Sequence, residues 1–247
     1  MVKKPEPKVR NFSPSLARLM VLFVLVAGAA SVFAQGTPQN ATAWYGYEGF
    51  HPFREGEPWG LFSEGYIKRN RIILDDLSYF YRVGLNYEFK NGNRLTGGYA
   101  FQYNFPYDSS SEPYNWPDHR IWEQFLIRRP VGESKRVTLI HRFRTEQRWL
   151  GRKSAPAFDE ITEWKFEDTF RYMFRCNIGV HPKWFAALYD ELHLRLPPPE
   201  AEKLFDQNRV YAGIGIYLDE RKKWRFETGY MFQSAWNSPD HSGPLLH

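Results

Sequence analysis

Arg142, Arg144, Glu146 and Arg148 stand two residues apart in the run H-R-F-R-T-E-Q-R. A guanidinium is a planar fork of donors that fits a carboxylate or a phosphate through two parallel hydrogen bonds. Related groups recur along the chain: Arg120, Gln124, Arg128, Arg171, Arg175, Glu191, Arg209, Arg225 and Glu227, with Asp206 and Asn208 near one end of the set. Gathered on one surface, they would attract small anionic solutes such as acidic sugars or phosphates. They would equally serve to hold one another, because an arginine kept from water needs a carboxylate beside it. Arginine outnumbers acid in the set, which keeps the anion-binding reading open.

Catalysis is the weaker expectation. Glu146 and Glu191 could form a carboxylate pair for acid–base work, but arginine neighbours favour salt bridges instead. There is no G-x-S-x-G, and no serine stands two residues after a histidine within a strand-like run. No enzyme activity and no cofactor is expected. Cys176 is the only cysteine, so no internal disulfide can form, and no paired Cys/His spacing suggests a zinc site.

A spacing of two puts these side chains on one face of a β-strand. From Lys135 to Leu150 the other face reads Val137, Leu139, His141, Phe143, Thr145, Gln147 and Trp149. One face is apolar and the other cationic, over a run well beyond the roughly 5–6 residues of an ordinary strand. That suits the wall of a transmembrane barrel, with lipid outside and a polar filling inside. The same alternation predicts strands at Trp59–Lys68, Asp75–Lys90, Arg94–Phe105, His119–Arg129, Phe166–Val180, Trp184–Arg195, Asn208–Leu218 and Trp224–Gln233. From Asn91-Gly92 onward the connections alternate short and long. Outer-membrane barrels show this pattern, with short turns on the periplasmic side. The expected fold is therefore all-β: an antiparallel, up-and-down transmembrane-type β-barrel of about ten strands, nine of them clear. A secreted β-sandwich that binds ligands, and an outer-membrane hydrolase using His141, are the alternatives.

The first residues read as an address rather than as fold. Lys3, Lys4, Lys8, Arg10 and Arg18 precede the apolar run Leu19–Ala34, which ends in an A-x-A-like pattern. The run is shorter than the roughly 20 residues that span a bilayer, so a cleaved secretory signal over 1–34 is expected. This leader carries five Lys/Arg and one Glu, a net of +4 against +5 for all 247 residues. The remainder is near neutral, and nucleic acid is not an expected partner. A mean hydropathy of −0.58 with 18% aromatic residues fits a barrel, which hides its lipid face in every second residue. The expected division is a signal at 1–34, a lead-in segment at 35–58 with one short strand at Ala43–Tyr47, a barrel at 59–233 and an irregular tail at 234–247. Outer-membrane lipid is the expected partner; the oligomeric state is not legible.

With these residues in view, the chain resembles the bacterial family called domain of unknown function 2490. The likeness covers most of the chain after the leader. It rests on His119-Arg120, H-R-F-R-T-E-Q-R at His141 to Arg148, the Arg171–Arg175 strand, Glu191, D-Q-N-R-V-Y-A-G-I-G at Asp206 to Gly215, and G-Y-M-F-Q at Gly229 to Gln233. The resemblance implies an outer-membrane-type barrel and supplies no activity. It also implies a closing strand after the last loop. Ser234–His247 departs there, because Pro239 and Pro244 each remove a ladder donor. The expectation is an open seam flanked by Trp59–Lys68 and Trp224–Gln233, the alternative being that the aromatic stretch around Ala43–Tyr47 fills the gap.

Overall fold

The computed structural model describes residues 42–70, 72–106, 113–154, 159–196, 204–220, 222–235 and 245–246. The predicted signal, the start of the lead-in segment and residues 236–244 of the tail lie outside them. Among the described residues there is no helix. The chain forms one antiparallel sheet in which each strand pairs with the next: β1 (Thr42–Pro52), β2 (Trp59–Asn70), β3 (Asp75–Glu88), β4 (Arg94–Asn104), β5 (Trp116–Val131), β6 (Val137–Lys153), β7 (Ile161–Gly179), β8 (Trp184–Arg195), β9 (Phe205–Tyr217), β10 (Arg225–Ala235) and a two-residue β11 (Leu245–Leu246).

The sheet curls into a half-barrel. Phe62 of β2 meets Trp122 of β5 at 5.3 Å between ring centroids, and the Arg209 guanidinium of β9 lies 4.9 Å from the Trp44 ring of β1. The period-two pattern decides what faces inward. In β3, Ser78, Phe80, Arg82 and Asn86 are buried, while Tyr79, Tyr81 and Leu85 between them are exposed. The connections at 89–93, 132–136, 180–183 and 218–224 are tight and lie at one end of the strands. Gly92 (φ 78°) and Gly132 (φ 74°) supply the left-handed residues that two of them need. Glycine also makes room inside. A Cβ on Gly84 would lie 2.8 Å from Trp122 Cζ2, and one on Gly215 would overlap the Phe185 ring.

Three expectations need correction. The short strand expected at Ala43–Tyr47 is part of a longer one: β1 pairs with β2 from Thr42↔Asn70 to Pro52↔Gly60. Its alternation is invisible because both faces are aromatic, with Trp44 and Phe50 packing inward against Tyr66 and Phe62 and with Tyr45 and Tyr47 exposed. The seam therefore lies between β1 and β10, and β2 is paired on both sides. Finally, β5 starts at Trp116 and β7 at Ile161, inside segments read as loops. Pro117 is tolerated because it stands at the strand's beginning.

No ladder joins β1 to β10 among the described residues. Side chains bridge the gap instead: Tyr47 and Trp224 are 6.5 Å apart between ring centroids, and Lys223 Nζ is 3.9 Å from Glu55 Oε1. Leu245 and Leu246 pair with Ala235 and Ser234 of β10 only.

Candidate functional site

The inward side chains of β6 face those of β5 in the order Arg148 opposite Arg120, Glu146 opposite Trp122, and Arg144 opposite Gln124. The sheet's curvature then brings in partners from strands that are not neighbours. Glu146, only 2% exposed, accepts Arg120 Nη1 at 2.9 Å, Arg171 Nη1 at 2.9 Å and Arg82 Nη2 from β3. Arg82 also donates to Glu64 of β2 at 3.0 Å. On the other side, Glu191 accepts Arg142 Nη2 and Arg171 Nη2, each at 2.8 Å, with Arg209 Nη1 at 3.7 Å and His193 Nε2 at 3.3 Å. Towards the long-loop end, Asp118 holds Arg120 at 2.6 Å and Arg148 at 2.7 Å. Charges this deep are tolerated only when each carries such charge-assisted bonds. Trp122 sits within the cluster, with the Arg82 and Arg144 guanidinia 4.8 and 5.4 Å from its ring.

This cluster fills the half of the interior nearer the long loops. A cavity of about 2300 Å³ occupies the half nearer the tight turns and continues beside the cluster along all of β1 and most of β10. Its lining includes Gln124, Arg128, Arg142, Arg175, Arg209 and Arg225, and residues of the turns at 132–136 and 180–183. Lysines and arginines outnumber carboxylates twelve to four in that lining, so its field favours anions. One wall is a stack of rings: Trp44 to Tyr66 at 5.4 Å and Tyr66 to Phe80 at 4.4 Å, with Lys68 Nζ 3.8 Å from the Trp44 centroid. Among the described residues, no group of three or more His, Cys, Asp or Glu could hold a metal.

Of the residues singled out from the sequence, Arg120, Arg142, Arg144, Glu146, Arg148, Arg171, Glu191 and Arg209 come together in one connected network. Arg175 stands further down the cavity wall, where it donates to Glu227 at 2.5 Å and to Asn177 at 2.8 Å. Asp206 and Asn208 do not join. A bulge at His193/Leu194 shifts the register beside Asp206, which takes Arg195 at 2.8 Å; Asn208, opposite Leu192, lies on the face away from its neighbour Arg209 by simple alternation. Sequence reading missed Arg82, Glu64, Asp118 and His193. Arg82 was visible on the polar face of its strand, but nothing local says that it reaches β6. Asp118 was hidden by the adjacent Pro117.

No curated protein and no solved structure matches the chain. A family model described as a protein of unknown function, DUF2490, matches residues 41–242, which takes in every long strand and the whole arginine–carboxylate network. The chain belongs to that family.

Proposed function

We propose that the protein is an outer-membrane β-barrel whose interior is plugged on the long-loop side and holds small anionic solutes in a cationic cavity open towards the short turns. One observation carries the membrane half of this reading: the distribution of side chains is inside-out for a water-soluble protein. Arg82, Arg144 and Glu146 are 1–2% exposed, whereas Tyr81, Ile121, Phe166, Ile214, Phe226 and Tyr230 are at least half exposed on the outer face. Soluble monomers rarely leave so much apolar surface in water. A lipid face alternating with a polar interior is the barrel pattern.

The binding half rests on the charge of the cavity lining and on the network above it. Solute enters from the turn side in this reading, and the cross-bonded residues around Glu146 stand across the rest of the interior. The role needs no catalytic group. Planar-bilayer recording of the purified protein tests it, with no stepwise current expected from the unmodified chain. A steady anion-selective current would replace the holding role by passage.

A further inference from the structure

Most strands line the cavity with alternate residues, as a closed wall does. From β6 these are Thr138, Ile140 and Arg142. Two strands differ. Consecutive residues line it from Thr42 to Pro52 and from Lys222 to Gln233, Gly46, Gly49 and Gly229 among them. Successive side chains of a strand point to opposite faces, so a space met by every residue in turn runs along the strand's own edge. These two strands are the ones that bound the sheet, apart from the two residues of β11 on β10. The cavity therefore continues sideways through the β1–β10 seam.

The two ends of this passage differ in chemistry. At its outer end stand Tyr45, Tyr47, Trp224, Phe226 and Tyr230, all exposed. Its inner end is lined by Arg128 and Arg225, which are exposed as well. Neither has a carboxylate partner among the described residues, in contrast to the arginines of the network. Both line the cavity, and Glu88 is held by Arg94 at 2.8 Å. Like charges brought together in a cavity leave a place for an anion between them. Strand edges without a ladder partner among the described residues need cover where they face lipid, because lipid offers their backbone groups no hydrogen bond.

We propose that the cavity takes an amphiphilic anion, its phosphate headgroup held between Arg128 and Arg225 and its acyl chain lying out through the β1–β10 seam. A phosphate has oxygens enough to accept from both guanidinium forks. The proposal rests on the barrel reading above, since a seam can admit an acyl chain only where lipid lies outside it.

The test uses the full-length protein purified in a neutral detergent and three probes: a monoacyl phosphoglycerol, glycerol 3-phosphate and a monoacylglycerol. The acylated phosphate should bind at least about tenfold tighter than either other probe. Arg128→Gln with Arg225→Gln should weaken it by about tenfold or more and leave the monoacylglycerol unchanged. These two arginines neutralise no buried acid, so their loss should spare folding, and a heat-modifiability gel checks that it does. In a third chain carrying Cys176→Ser, Tyr47→Cys and Trp224→Cys, a short bis-maleimide across the seam should weaken the acylated phosphate and spare glycerol 3-phosphate. Equal binding of glycerol 3-phosphate would make the site one for free phosphate and overturn the seam. Equal binding of the monoacylglycerol, or no effect of the arginine changes, would overturn the headgroup site. A bridged seam without effect would overturn the lateral path. Each failure is read on folded protein in detergent and leaves the barrel reading standing; that reading fails separately, if the protein needs no detergent.

Discussion

Arg171 of β7 donates to Glu146 of β6 at 2.9 Å, although the two are not register partners. In the ladder, Arg171 faces Arg144 and Glu146 faces Thr169. Two arginines directly opposite would repel. The diagonal contact resolves this, and Arg171 spends its other edge on Glu191 at 2.8 Å. Arg171 thus ties the two buried carboxylates into one network.

Removing Glu146 should therefore be costly. Glu146→Ala leaves Arg82, Arg120 and Arg171 short of a partner, and about 3–5 kcal/mol of stability should be lost. Arg128→Gln, which strands no acid, should stay within about 0.5 kcal/mol of the unmodified protein. Urea titration of protein refolded into phosphocholine bilayers measures both. Equal effects would mean that the network is not what holds the interior.

Trp122 is fully buried between Phe62 and two guanidinia. Trp122→Ala should cost about 3–5 kcal/mol by the cavity it leaves. Gly84→Val should also lower the unfolding midpoint, because its new side chain presses on the Gly97 carbonyl and on the indole. A Gly84→Val protein as stable as the parent would place Trp122 elsewhere.

The outer face should respond to charge by depth. Phe143 lies midway along β6 on the outer face, and Phe143→Lys should cost about 2–4 kcal/mol in bilayers if that face meets lipid. Thr138→Lys, directed into the cavity, should be tolerated. The same titration distinguishes them, and a reversal would mean that the two faces are exchanged.

Much of this was legible because period-two patterning is a local signal. It put Arg142, Arg144, Glu146, Arg171, Glu191 and Arg209 on inward faces without any knowledge of the fold. The same signal gave only part of β1, Ala43–Tyr47, because inward Trp44 and outward Tyr45 are both aromatic. It failed at Asp118, because a proline at a strand's start looks like a loop. The pairing of Arg82 with Glu146 could not be read at all. It depends on the curl of the sheet, which brings β3 to β6 across the interior and leaves no mark at either residue.

The central claim is that the outward aromatic face lies in a membrane. The most direct test is fractionation of cells expressing the full chain, followed by a gel run with and without heating. The account predicts protein in the outer-membrane fraction, released only by detergent, with a band that shifts on heating as the barrel unfolds. Protein recovered in the soluble periplasmic fraction without detergent would contradict it and leave a secreted β-sheet protein in its place.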